Sequence, residues 1–352
     1  MLRRSVKAAL ARWALHKRRR HRPTPGLQPK DEATHASDGR RRFAEDYTFV
    51  GVQSSSAVLV RLEWLPGRGA HRVWLMVFRD GEVFTLPGLQ VLGRARGADR
   101  WRAAGLELDC VTPFEQWSLQ YTGRLVRADA VGTSRAPELR CSLDLAFLAA
   151  APPFVPGADD DPQLLAERLG EATWDAALLR SVRRVQSRGY VQVGQLHGTV
   201  ALGDEIVPVR AASLRQHSWG VRDWGASDSA FQCFAAFDDG RRAWLHHAEF
   251  PFVTLEGGFV HDGRQLLPVR AFGTSLERRP GRVPGHASIV VEAPDARVGI
   301  EAQMISDVTL GVDGRGAVAM GLFRIANAPG WGFWVGQRRL LPRAVENAAR
   351  RR

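Results

Sequence analysis

The stretch Val58-Leu59-Val60-Arg61-Leu62-Glu63-Trp64-Leu65 decides the fold class, together with the segment after it: a loop at Pro66 to Ala70, then Val73, Leu75 and Val77, then Asp80-Gly81 before Val83 to Leu86. Its period is two. Val58, Val60, Leu62 and Trp64 fall on one side and Leu59, Arg61, Glu63 and Leu65 on the other, as in a β-strand, whose successive side chains point to opposite faces. Asp80-Gly81 stands where a two-residue hairpin turn needs positive φ at both central positions. The reading is a run of antiparallel strands.

The same pattern extends in both directions. A further strand starts at Trp117 and runs through Leu119, Tyr121 and Gly123, and the first sheet unit ends near Phe147. The Pro-rich joint Pro152-Pro153-Phe154-Val155-Pro156 and the acidic run Asp159 to Asp161 come next. Asp161-Pro162 is a helix-start signature, with Leu164, Leu165, Leu169, Trp174, Leu178 and Val182 as the apolar face and a break expected at Gly170. Strands return at 190–200, 206–210, 231–237, 243–250, 258–260, 266–272, 288–292, 298–304, 308–312 and 317–325, with Asp239-Gly240, Asp262-Gly263 and Asp313-Gly314 as hairpin turns. The chain is therefore expected to be mainly β, with two antiparallel barrels or sandwiches and one connecting helical stretch. The expected division is a tail at 1–42, a first β unit at 43–150, the joint and helix at 151–187, a second β unit at 188–337 and a basic tail at 338–352.

At 352 residues the chain exceeds what one ordinary core organises, which agrees with two units. The formal charge of +12 sits at the ends: residues 1–42 carry a net +10, residues 338–352 a net +5, and the body between them −3. A slightly acidic body is a poor surface for tracking phosphates, so no specific nucleic-acid partner is expected. All three lysines (Lys7, Lys17, Lys30) lie in the first 30 residues. Schiff-base chemistry, a P-loop lysine and a lysine general base are thereby excluded from the body, because arginine stays protonated. Cys110, Cys141 and Cys233 are odd in number, far apart and without metal spacing, which reads as free, buried thiols in a reducing compartment. No run is apolar enough for a membrane span and no signal-peptide core stands after the basic start, so a cytoplasmic protein is expected.

Residues 1–22 place Leu2, Val6, Ala9, Leu10 and Trp13 at helical spacing with basic residues opposite. Three readings stand: a basic amphipathic helix in peripheral contact with an anionic membrane, a solvated tail, or an organelle transit peptide. Residues 23–42 read as linker.

The densest chemistry lies in Arg215-Gln216-His217-Ser218-Trp219-Gly220-Val221-Arg222-Asp223-Trp224. If the strand runs straight, Arg215, His217, Trp219 and Asp223 share one face and Ser218, Arg222 and Trp224 the other. Inside a barrel, His217 could protonate a bound alkene or enol, with Asp223 orienting the imidazole and an arginine holding a polar end. The bland alternative is that Asp223 pairs with an arginine, the tryptophans are core and His217 is simply hydrogen-bonded. His246-His247 with Glu249 invites a metal test, but adjacent strand histidines point to opposite faces and two ligands do not make a site, so no metal and no cofactor is expected. Hydrolase-elbow, dinucleotide and zinc-protease motifs are absent.

The segment Gly194-Gln195-Leu196-His197-Gly198-Thr199-Val200 and the run from Arg215 to Trp224 resemble those of tandem lipocalin-like proteins, a group that includes carotenoid 1,2-hydratases and AttH-like proteins. An uncharacterised domain found beside phosphoenolpyruvate-synthase-like modules is the closest resemblance. Trp101 to Leu106 and Pro113-Phe114-Glu115-Gln116-Trp117 are similar too, so the likeness spans roughly residues 45 to 335. It implies two lipocalin-like barrels whose interiors or interface accept an apolar molecule. Where relatives carry a His-Tyr-Glu-Gln-like strand this chain has Gly189-Tyr190-Val191-Gln192, which weakens any transfer of acid catalysis. Three functions stand as expectations. The first is binding of an isoprenoid, steroid or fatty acyl molecule by Arg215, Trp219, Arg222, Trp224, Tyr190 and Gln192. The second is cofactor-free hydration, cyclisation or isomerisation of that ligand through His217 and Asp223. The third is an interaction module for a phosphotransferase or a membrane complex.

Overall fold

The first strands pair as the hairpin signals predict. β1 (Phe43–Gln53), β2 (Ser56–Leu65), β3 (Ala70–Arg79) and β4 (Glu82–Thr85) form an antiparallel meander, and Asp80 and Gly81 take φ of 49° and 85° in its last turn. β5 (Val91–Arg94) pairs with the far end of β3, and β6 (Arg102–Ala103) and β7 (Leu106–Thr112) lead into β8 (Gln116–Arg127) and β9 (Leu139–Ala149). This is a computed structural model, and it describes residues 4–20, 27–94, 101–133, 136–175, 187–277, 279 and 282–340.

The next two strands correct the expected division. β10 (Ser187–Leu202) pairs with β9, β11 (Glu205–Val221) pairs with β10 and with β1, and β4 pairs with β8. The ring β4-β3-β2-β1-β11-β10-β9-β8 is thus a closed eight-stranded barrel, completed by strands from beyond the Pro-rich joint. Closure gives β1 and β9 a partner on each side where an open sheet would leave bare edges. Alternation in a sequence shows that a segment is a strand and is silent on which sheet it joins.

The remaining strands form one open, curled sheet: β12 (Ser229–Phe237), β13 (Arg242–Phe250), β14 (Val253–His261), β15 (Leu266–Pro268), β16 (Ala271–Leu276), β17 (His286–Ala293), β18 (Ala296–Val312), β19 (Gly316–Ile325) and β20 (Gly330–Arg339). The two strands expected at 298–304 and 308–312 are a single β18 with an irregularity between Met304 and Ser306. β20 extends the sheet two residues into the expected basic tail, and residues 341–352 lie outside the described residues.

Three apolar clusters hold the sheets together. Tyr47, Phe49, Val60, Leu75, Leu119, Phe147 and Leu196 fill the barrel. Phe231, Cys233, Leu245, Ile300, Phe323 and Trp334 fill the concave side of the open sheet. Between them, Leu59, Trp74, Phe78, Val191 and Val193 of the barrel pack on Phe234, Trp244, Phe259, Leu310 and Phe333. β3 is buried on both faces for this reason. Cys141 and Cys233 are buried and free, whereas Cys110, also free, is exposed.

Asp161 caps α2 (Pro162–Glu171) by accepting from the amides of Gln163 and Leu164, and Leu178 and Val182 of the expected helix lie outside the described residues. α1 (Arg4–Arg20) lies against α2, and a Cβ at Gly170 would stand 2.9 Å from that of Ala8. This glycine lets two helices approach, and α2 ends one residue after it, where the break was expected. No helix among the described residues is long and apolar enough to cross a membrane.

Candidate functional site

Pairing places the dense motif at one mouth of the barrel. Tyr47 stands opposite His217 and Phe49 opposite Arg215 on one side, and Tyr190 opposite His217 and Gln192 opposite Arg215 on the other. Three neighbouring strands thereby set their inward residues in two rows. Residues 27–42, expected to be linker, instead form a strap across this mouth and send Glu32 inside.

Glu32 is held from all sides. Arg215 donates to both carboxylate oxygens at 2.7 and 2.8 Å, Tyr190 Oη donates at 2.6 Å and Trp117 Nε1 at 3.0 Å, while Tyr47 Oη donates to the Glu32 backbone carbonyl at 2.5 Å. Burial opposes ionisation of Glu32, but Arg215 and the Tyr190 hydroxyl outweigh it and hold the carboxyl below its usual range. Arg215, fully buried, also donates to Gln192 Oε1 at 2.6 Å, and Gln192 is fixed by donating to the carbonyls of Phe114 and Ala151.

Beside it, His217 Nε2 meets Glu45 Oε1 at 2.9 Å, and His35 Nδ1 meets the same oxygen at 2.8 Å. The His217 ring stacks on Tyr47 with centroids 4.0 Å apart, and His35 stacks on Trp219 at 3.8 Å. His217 has no exposed surface. Burial pushes its pKa down, only partly offset by Glu45, which favours the neutral imidazole, and Nδ1 has no hydrogen-bond partner among the described residues.

Of the residues singled out by sequence, Arg215, His217, Trp219, Tyr190 and Gln192 do come together. Asp223 does not join them, because β11 stops at Val221 after Gly220 turns with φ of 119° and the alternation stops with it, whereas Arg222 and Trp224 lie on the opposite side, as expected. Asp223 does not orient His217: it pairs with Arg42 at the surface, with Arg315 at 3.6 Å. Arg222 joins Ser218 on the outer face, as the alternation predicts. There it bonds Asp46 and, at 2.6 Å, Glu63, in a buried network with Arg61, Arg72 and Asp313 that ties the barrel to the open sheet. Burial opposes ionisation of Asp46, but Arg222 and Arg61 hold its carboxyl down at about 2. Trp224 is core between the sheets, with Trp74 at 5.9 Å and Arg61 over its ring. The residues that sequence reasoning missed are Glu32, His35 and Glu45. Glu45 carried a signal, an acid in phase with Tyr47 and Phe49 on an inward face; Glu32 and His35 carried none.

A second place gathers chemistry. Between barrel and open sheet lies a cleft of about 1460 Å³, walled by Tyr190, Val191 and Trp219 on one side and Phe231, Trp244, His246 and His247 on the other. His247 stacks on Phe231 and its Nδ1 meets Glu256 at 2.9 Å, with Arg168 on the same carboxylate at 2.5 Å. His247 and Glu249 do share a face, at 3.4 Å. His246 Nε2 meets Asp160 at 3.3 Å, and Asp160 also accepts from the amides of Gly157 and Gly258. Burial opposes ionisation of both acids, and their hydrogen bonds from histidine and backbone or from histidine and Arg168 outweigh it.

Residues 28–334 match a family described only as a domain of unknown function, DUF7064. The chain belongs to the DUF7064 family. No curated protein matches it. Among solved structures, an AttH-like protein of Nitrosomonas europaea is similar at 11% identity and a TM-score of 0.56, over 90% of this chain and 97% of that one. CghA with Sch210972 is similar at 10% identity and a TM-score of 0.47, over 85% and 89% of the two chains, and CghA alone gives 9% and 0.46 over 85% and 88%. The likeness to the Nitrosomonas protein is one of fold.

In this DUF7064 structure, one trio of possible metal ligands converges among the described residues: His35, Glu45 and His217, whose donor atoms lie within 4.8 Å of one another. Their spacings to Glu45 are those of hydrogen bonds. A metal on His217 Nε2 would also leave a buried Nδ1–H without the acceptor that metal-bound histidines normally have. The arrangement suits protons better than a metal.

Proposed function

We propose that this protein binds a lipophilic small molecule of isoprenoid, steroid or fatty acyl type, and that the ligand lies in the cleft between the barrel and the open sheet. The observation that carries this is the contrast in free space. The second cavity, at Gly51, Val58, Val77 and Val209 inside the barrel, offers only about 30 Å³, no more than a water or two. The cleft offers about 1460 Å³, with the aromatic side chains of Tyr190, Trp219, Phe231 and Trp244 in its walls beside polar groups such as Gln192, Gln232 and His246. Of the two expected places, a barrel interior and the interface between the units, the free space favours the second, and among the expected binding residues Tyr190, Gln192 and Trp219 line it.

Titration with an apolar fluorophore such as N-phenyl-1-naphthylamine tests the reading. Saturable uptake that is weakened at least tenfold by Ala248→Trp, which fills the cleft from a half-buried position, supports it; uptake that ignores this substitution counts against it.

A second reading, proton transfer to the bound ligand without a cofactor, is favoured by one observation: His246 and His247 face the cleft with carboxylates behind them, whereas His217 does not line it. The proton donor is then His247 and not His217. Loss of turnover of an identified ligand in His247→Ala, measured at ligand concentrations that saturate the variant, is its test.

A further inference from the structure

The strap across the barrel mouth is anchored in an unusual way. Among residues 27–42 Glu32 is the only buried one; the rest are half-buried or exposed. Chain segments are ordinarily held by apolar side chains, since burying a charge is costly unless it is fully paired. Here the single deep anchor is a carboxylate, and the strap makes no strand pairing with the barrel.

The receptor for that carboxylate is built independently of it. Arg215 is oriented by Gln192, which is itself held by two backbone carbonyls, and its guanidinium is flanked by the rings of Trp117, Phe147 and Tyr190 at 5.6, 5.6 and 5.2 Å. With Tyr190 Oη and Trp117 Nε1 it presents four donors to one carboxylate, the planar two-pronged geometry in which arginine recognises this group. Arg215 Nε is buried and has no hydrogen-bond partner among the described residues.

We propose that this cradle is the polar end of the ligand site, that its ligand is an amphipathic monocarboxylate, and that Glu32 occupies it as an internal substitute in the empty protein. The proposal rests on the cleft reading above and narrows its ligand to one that carries a carboxylate. Cradle and cleft share a wall: Tyr190 donates to Glu32 and lines the cleft, while Leu27 and Asp31 of the strap line it from the other side. Withdrawal of the strap joins the two into one site, with the ligand carboxylate on Arg215 and its chain among Trp219 and the aromatic wall of the open sheet. The exchange replaces one carboxylate by another, so the buried arginine is never left unpaired. Glu32 competes at the high effective concentration of a tethered group, roughly millimolar or more, so the ligand must add burial of its own apolar chain to win.

The test uses dodecanoate and dodecanol on the full chain and on Glu32→Gln. Dodecanoate is expected to bind Glu32→Gln at least tenfold more tightly than wild type, while dodecanol shows no such difference. In the wild type, dodecanoate and not dodecanol is expected to open the strap to trypsin after Arg40, Arg41 or Arg42. Equal binding of both compounds to both proteins, with the strap still protected, overturns the carboxylate site and leaves the cleft reading standing. No binding of dodecanoate, dodecanol or any apolar probe overturns both. Should Glu32→Gln fail to fold, the trypsin comparison on wild type decides alone.

Discussion

The barrel mouth and the inter-sheet cleft both hold imidazoles backed by carboxylates, and they differ in what lies in front of them. At the mouth, His217 is closed off by Tyr47, Trp219 and His35, and every strong donor around it is already used by Glu32 or Glu45. In the cleft, His246 and His247 have comparable carboxylate partners behind and free volume ahead. A high density of polar groups in a sequence marks where a structure is braced. Chemistry on a ligand also needs access, and that property belongs to the assembled sheets.

The largest expected effect separates the two regions by stability. Glu32→Ala leaves Arg215 buried without its carboxylate and should cost about 3–5 kcal/mol in urea unfolding. Glu256→Ala should cost only about 1–2 kcal/mol, since its partners His247 and Arg168 are half-buried and keep some solvent. Equal losses would erase the distinction.

Acid should act on the mouth and the buried network next. Glu32, Glu45 and Asp46 all have folded pKa values below their ordinary ones, so the unfolded chain binds more protons. Their contribution is complete above the unfolded carboxylate range and is lost as pH falls through the folded values, down to about 2 for Asp46. Asp46 alone represents about 2 kcal/mol. The depressed His217 has the same sign and begins to act below its ordinary 6.5. Stability should therefore be level above neutrality, decline gently from pH 6.5 and fall steeply below pH 4, with the gentle phase reduced in His217→Gln and its remainder due to His261, whose pKa burial also lowers. A rise in stability on acidification from pH 7 would contradict these assignments.

His247→Ala should lower stability by no more than about 1 kcal/mol while weakening uptake of an apolar probe several-fold, since it removes a stacked ring from the cleft wall. Retained binding with a large stability loss would make His247 a core residue. The smallest effect belongs to Asp223→Asn, which breaks a surface pair with Arg42 and should change stability by less than about 0.5 kcal/mol and probe binding not at all. A marked loss of binding there would restore Asp223 to the site.

Much of the fold was legible because its signals are local. Alternation from Val58 to Leu65 and the turn at Asp80-Gly81 depend only on neighbours in the chain, and so does the cap at Asp161. The exchange of β10 and β11 into the first barrel was not legible, since no local pattern specifies a partner strand. In the candidate site, alternation correctly grouped Arg215, His217 and Trp219 and paired Ser218 with Arg222. It failed at Asp223 because the strand ends two residues earlier. Glu32 reaches Arg215 across 183 positions from a segment with the composition of a linker. The cleft is a space between two sheets, which no run of residues encodes by itself.

The most direct test of the account is mass spectrometry of solvent extracts of the protein purified from its native host, in parallel with Ala248→Trp. The account predicts a stoichiometric lipophilic compound in the wild type that the variant has lost. A compound retained by the variant, or nothing bound in either, would contradict a ligand site between the sheets.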